Sequence, residues 1–221
     1  IDDGVNVLIL SDRGVDRDNA PVPSLLATAG VHHHLVRAGK RTRCAIIVET
    51  GEAREVHQYC VLLGYGATAI NPYLAFETLD DMIREKLLEL PHSEAVNHYL
   101  KAVRKGIVKV MSKMGISTLQ SYRGAQIFEA IGLNKSFVDK YFTWTSSRID
   151  GIGLDEIAKE VLSHHQNAFP IRPVRKPALE WGGFYQWRRE GEYHMYNPGT
   201  VHKLQYSTRM NNYDLFKEFS S

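Results

Sequence analysis

Three consecutive histidines, His32-His33-His34, are the most conspicuous metal-binding residue types in the chain. Neighbouring residues on a helix point about 100° apart, so three in a row cannot all face one ion. His57 is distant in sequence and no H-E-x-x-H spacing is present. Helix packing and surface positions therefore describe the run better than a metal site does. Gly64-Tyr65-Gly66-Ala67-Thr68-Ala69 fits a loose G-x-G-x-x-A, but it follows a helical pattern and precedes a strand. A dinucleotide fingerprint needs the reverse order, so a helix-to-strand turn is expected. Cys60 falls on the apolar face of its helix, where a thiol is inert. Asp12, Arg13, Glu49 and Asn71 carry more promise. They stand just past apolar runs and converge if those runs are neighbouring strands. Such a group either holds a ligand or forms a buried ion-pair and hydrogen-bond network under a covering domain. Arg172, Arg175, Arg188 and Arg189 are read as a solvated or interdomain basic surface.

The elements that must position these residues alternate. Val5–Leu10 is a continuous apolar run, expected as a parallel strand buried on both faces. A helical pattern runs from Pro23-Ser24 to Arg37, with Gly39 past its end. Cys44–Val48 is a second strand, Glu52–Leu63 a second helix and Ala67–Ile70 a third strand. This is the pattern of βα units around a parallel sheet, and polar residues gather where ligands bind in such folds. Leu74–Leu90 and Ser93–Met114 read as helices, the latter capped by Ser93 and Gly115, with Met111 and Met114 in the core. Ile116–Leu119 is expected as a short strand, Gly124–Ile131 as a short helix and Leu154–His164 as a longer one. Beyond Pro170, prolines punctuate a basic stretch, Phe184–Tyr196 reads as a hairpin and Pro198–Phe219 as helical. The expected domains are an α/β domain over 1–169 and a connecting segment over 170–221.

Composition narrows the function classes. The 27 Lys+Arg nearly balance the 25 Asp+Glu among 221 residues, which argues against a dedicated nucleic-acid binder. Two cysteines cannot form a disulfide framework or supply an iron–sulfur cluster, and are expected as reduced thiols of a cytoplasmic protein. The apolar runs are strand-sized, so no membrane partner is expected. The opening Ile1-Asp2-Asp3-Gly4 lacks Met and leads at once into a strand, as expected of a piece of something longer.

Long local words carry a family resemblance. Leu8–Pro23 reads LILSDRGVDRDNAPVP and Ala29–Gly39 reads AGVHHHLVRAG. Arg41–Pro72 reads RTRCAIIVETGEAREVHQYCVLLGYGATAINP, and Lys109–Leu133 reads KVMSKMGISTLQSYRGAQIFEAIGL. Together they resemble the central domain of the glutamate synthase large subunit. Phe142–Leu154 (FTWTSSRIDGIGL) and Gly183–Gln205 (GFYQWRREGEYHMYNPGTVHKLQ) resemble the stretch leading into that enzyme's FMN-binding domain.

The resemblance implies an enzyme that makes two L-glutamates from L-glutamine and 2-oxoglutarate. An amidotransferase domain releases ammonia, a tunnel carries it to an FMN barrel, and a 3Fe-4S cluster relays electrons. A small FAD-containing subunit or ferredoxin supplies them. The segment itself is expected to hold no cofactor and no catalytic residue. It is expected to resemble part of a (β/α) barrel and to join the amidotransferase and FMN domains. The tunnel or interdomain candidates are Asp12, Arg13, Glu49, Asn71, Tyr73 and Arg123. A free-standing interaction module derived from that domain is the competing expectation, and a small enzyme using Asp12, Glu49 and His57 a third.

Overall fold

Three apolar runs pair as one parallel sheet: β1 (Val7–Ser11), β2 (Ala45–Glu49) and β3 (Ala69–Asn71), in that spatial order. The computed structural model describes residues 1–172 and 182–221. Pairing runs from Val7↔Ala45 to Ser11↔Glu49, and from Ile47↔Ala69 to Glu49↔Asn71. Parallel neighbours need long crossovers. α1 (Ser24–Arg37) and α2 (Val56–Gly64) supply them. β2 is the central strand, and Ile46 and Val48 are 0% and 1% exposed. Burying each such side chain is worth about 1.5–3 kcal/mol. β1 corrects an expectation. It is an edge strand, and its outer face leaves Val7 and Ile9 exposed at 44% and 65%.

The amino edge of this sheet is held by one guanidinium. Arg41 Nε donates to His32 Nδ1 at 2.9 Å, and its terminal nitrogens donate to the carbonyls of Cys44 at 2.7 Å and Gly66 at 2.6 Å. The helix α1 and the approaches to β2 and β3 are thereby tied together. Gly66 adopts φ +111°, and a Cβ there would sit 2.3 Å from His32 Nδ1. This glycine is needed both for its backbone and for the close approach.

α2 starts four residues later than its apolar pattern, because residues 51–55 run through bends and irregular backbone and Glu55 forms a reciprocal capping box with Gln58. α3 (Tyr73–Arg84) also stops short of the expected Leu90. α4 (His92–Lys113) begins one residue before Ser93, with Pro91 at the cap position. Gly115, at φ +70°, follows its end as expected. Met111 is in the core, whereas Met114 is half exposed.

The region after α4 departs most from the sequence pattern. Ile116–Leu119 forms no strand. The Thr118 hydroxyl accepts from the Ser121 amide and starts a one-turn helix, α5 (Leu119–Tyr122). Gly124–Ile131 forms no helix, since Gly124 and Gln126 take positive φ and lead into β4 (Glu129–Leu133). After α6 (Lys135–Tyr141), capped by Asn134, β5 (Ser146–Ile152) pairs with β4 in a second parallel sheet. Gly132 and Gly151 let the two backbones touch, as a Cβ on Gly151 would lie 2.1 Å from the Gly132 oxygen. α7 (Leu154–Ala168) extends the expected helix by a turn.

The chain divides into units Ile1–Ile171 and Arg172–Ser221. In the second unit the Phe184–Tyr196 stretch contains no strand, contrary to the hairpin reading. It follows bends, closed by the Glu192 amide on the Gly182 carbonyl and the Gly191 amide on Arg188. Gly182 and Gly183 both have positive φ, which breaks the extended conformation a strand needs. The helical terminus is two helices, α8 (Pro198–Met210) and α9 (Tyr213–Ser220), separated at left-handed Asn211. Asn197 and Asn212 cap them. Pro173, Arg175, Lys176 and Pro177 of the basic stretch lie outside the described residues.

Gly66→Ala is expected to destabilise the protein by roughly 2–3 kcal/mol through its backbone and its clash with His32. Urea unfolding measures this. A change within the roughly 0.5 kcal/mol of ordinary surface substitutions would contradict the close packing at the amino edge.

Candidate functional site

The parallel register places Ser11, Glu49 and Asn71 in one row at the carboxyl ends of three strands. Their side chains meet. Glu49 Oε2 accepts from the Ser11 hydroxyl at 2.6 Å. Its Oε1 accepts from Arg13 Nε at 2.8 Å and from Asn71 Nδ2 at 3.1 Å. Arg13 also lies 4.1 Å from the centre of the Tyr73 ring and 3.5 Å from the Glu77 carboxylate. Hydrogen bonds from Ser11 and then Arg13 hold the Glu49 carboxyl below the ordinary glutamate range. Glu49 is thus a fixed anion rather than a proton donor at neutral pH.

Asp12 organises the adjoining layer. It accepts from the Thr50 hydroxyl at 2.7 Å and from the Gly51 amide at 3.0 Å. Thr50 is fully buried, and its hydroxyl oxygen in turn accepts from the Glu52 amide at 3.0 Å. Burial, and then a hydrogen bond to Asp12, push the Tyr73 hydroxyl up to about 12. A Cβ at Gly51 would lie 3.3 Å from that hydroxyl, so a side chain there would press on Tyr73.

Five of the six candidates, Asp12, Arg13, Glu49, Asn71 and Tyr73, therefore come together. Arg123 does not. It follows α5 beside the amino edge, where its charge acts on His32 and Arg41. His57 lies on α2 with its ring 6.1 Å from that of Phe128, and it has no hydrogen bond to Asp12 or Glu49 among the described residues. Cys60 is buried, and that burial raises its thiol pKa. Among the described residues no group of three or more His, Cys, Asp or Glu side chains is placed to hold a metal ion. No described helix is long and apolar enough to cross a membrane. Ser11 and Thr50, which stand among the polar residues at the same strand ends, join the network through their hydroxyls.

The arrangement can brace three strand ends. Both Glu49 oxygens are engaged. Fold and site together define an α/β domain of parallel βα units with a cross-linked polar edge. Residues 1–134 match the family described as the glutamate synthase central domain, and the chain belongs to that family.

The chain is 50% identical over 220 residues to the glutamate synthase [NADPH] large chain of Bacillus subtilis, covering 100% of this chain and 14% of that protein. It is 45% identical to the glutamate synthase [NADH] of Saccharomyces cerevisiae, over 96% of this chain and 10% of that protein. It is 40% identical to the ferredoxin-dependent glutamate synthase of Pyropia yezoensis, over 99% of this chain and 15% of that protein. The chain thus spans a small part of the length of these relatives.

Two pH responses follow. A carboxyl whose folded pKa is lowered stabilises the fold above its unfolded value, roughly 4.3 for glutamate, and that stability is lost as pH falls through the folded value. Glu49→Gln should therefore flatten the loss of stability on the acid side, measured by urea midpoints across pH; an unchanged slope would refute the bracing role. His32 behaves oppositely in charge. Burial, then His33, Arg41 and Arg123, bring its imidazole down from 6.5 to about 4. Its neutral form is the folded one, so stability is full above 6.5 and falls between there and about 4. NMR titration of the His32 ring should show it neutral until about pH 4. Titration at the ordinary value would mean that Arg41 does not donate to it.

Proposed function

We propose that this chain is a segment of a glutamate synthase, the enzyme that forms two L-glutamates from L-glutamine and 2-oxoglutarate with reducing equivalents. In this reading the segment joins the amidotransferase and FMN-binding domains and helps to enclose the ammonia path between them. It performs no chemical step alone. The observation that carries the reading is the family match together with a strand-end network whose carboxylates are already engaged. A wall around a reactive small molecule needs tight packing and satisfied polar groups rather than free bases.

The parent's cofactors do not fit the residues of this chain. Cys44 and Cys60 are two buried thiols on separate elements, where a 3Fe-4S cluster needs three. The Gly51 amide at the strand ends, a natural phosphate donor, is already given to Asp12, and two carboxylates stand there against a phosphate. FMN and the cluster therefore belong to other domains of the parent. Relatives named for NADPH, NADH and ferredoxin all align along this segment. The electron donor, whether a small FAD-containing subunit or ferredoxin, is accordingly selected elsewhere. Two free buried thiols accord with a cytoplasmic enzyme.

The test is made in the full-length subunit with Glu49→Ala and Asn71→Ala. Glutamine hydrolysis and glutamate formation should become uncoupled, with glutamate per glutamine hydrolysed falling severalfold, or the melting temperature should drop. Unchanged coupling and unchanged melting would overturn the reading of these strand ends as wall or interdomain contact.

A further inference from the structure

Charge is sorted along one helical hairpin. α3 and the first half of α4 pack together, with the Phe76 and Tyr99 rings 6.2 Å apart. The second half of α4 lies on α2, where a Cβ on Gly106 would sit 2.4 Å from Val56. From Glu77 to Glu94, around the turn of the hairpin, six Asp and Glu stand against two Lys and Arg. Between Glu94 and Glu129 there are six Lys and Arg and no Asp or Glu. Ala95, Val103 and Met111 mark the buried face of α4. Lys101, Lys105 and Lys109 recur every four residues on its exposed side, flanked by Arg104 and Lys113.

None of these five cations belongs to an ion pair among the described residues. Like charges four residues apart on a helix repel. The negative end of α4 offsets this for Lys113, in the last turn. It does not reach Lys101, Arg104 or Lys105. The acidic turn is the counterpart. Asp81, Asp80 and Glu85 crowd around the single Arg84. Glu85 and Glu89 belong to no ion pair among the described residues. Each patch also holds a large apolar side chain in solvent. Leu87, among the carboxylates, is 73% exposed, and Val108, among the lysines, 64%. A solvated surface accounts for either patch alone. It does not account for two patches of opposite sign, each with an apolar side chain in it, on one hairpin.

We propose that this hairpin is an interface between two copies of the chain, paired antiparallel about a two-fold axis. The acidic turn of each copy meets the Lys105–Lys109 side of the other, and Leu87 of one copy packs beside Val108 of the other. A two-fold axis makes the match twice, because both copies use the same surface. The 22 residues of α4 span about 33 Å. A two-helix face of that length covers roughly 700 Å², close to the ~800 Å² per partner of a specific interface. The charges select the partner and the register, and the apolar pair is buried between them. The interface is independent of the strand-end network, and Glu77, which touches Arg13, is left out of the test.

The test is sedimentation velocity of the full-length subunit over a dilution series, with two variants, Lys105→Glu/Lys109→Glu and Glu85→Lys/Glu89→Lys. All four residues are exposed, so both variants are expected to fold, with melting temperatures in the range of ordinary surface substitutions. Each variant alone should self-associate at least tenfold more weakly than the unaltered subunit. An equimolar mixture of the two should regain the lost association, because opposite charges then meet at both contacts. Raising salt from about 50 mM to about 500 mM should weaken association of the unaltered subunit. Association unaffected by either variant, or by salt, would overturn the proposal. So would a subunit that stays monomeric throughout the series. A mixture that recovers nothing also overturns it, since the patches then face another domain of the parent or a different protein. The ratio of glutamate formed to glutamine hydrolysed should stay unchanged in both variants, which separates this result from the strand-end reading.

Discussion

The first sheet depends on a single carboxylate placed where three strands end. Glu49 receives one hydroxyl and one guanidinium from the end of β1 and one amide from the end of β3. Parallel strands have no tight turns to fix their relative position, so something else must hold register at the open ends. The ladder does most of that work, and Glu49 locks its last row. Asp12 repeats the device one residue further on, with Thr50 and Gly51 as donors. The charge is tolerable because it is partnered on both oxygens, and an unpaired carboxylate at the same place would lose that compensation.

The opposite edge solves the same problem with the opposite charge. Arg41 collects a ring nitrogen and two carbonyls that come from α1 and from the chain entering β2 and β3. An anion braces one end of the sheet and a cation the other, with the apolar layer of Ile46, Val48, Tyr59 and Leu62 between them.

What the residues disclosed in advance follows from which signals are local. The first three strands and two helices were legible because apolar runs alternate with amphipathic ones and because glycines stand at the ends. The row of Ser11, Glu49 and Asn71 was legible because parallel register aligns strand ends. β4 and β5 were hidden. Gly132 and Gly151 interrupt their runs, and the pairing depends on backbone approach rather than on side-chain alternation. The Phe184–Tyr196 stretch has the aromatic content of a hairpin, yet it follows bends after Gly182 and Gly183, whose φ is positive. Arg123 was grouped with the strand-end residues by resemblance alone, and only three-dimensional position separates it from them.

The two cysteines have a practical consequence. Cys44 and Cys60 are 7% and 1% exposed, and burial makes the Cys60 thiol harder to ionise. Thiol reagents act on thiolates that they can reach. A cysteine introduced on an exposed helix face of this segment would therefore react ahead of both native ones. The segment can carry a spin label or fluorophore at a chosen point without first being stripped of its own sulfur.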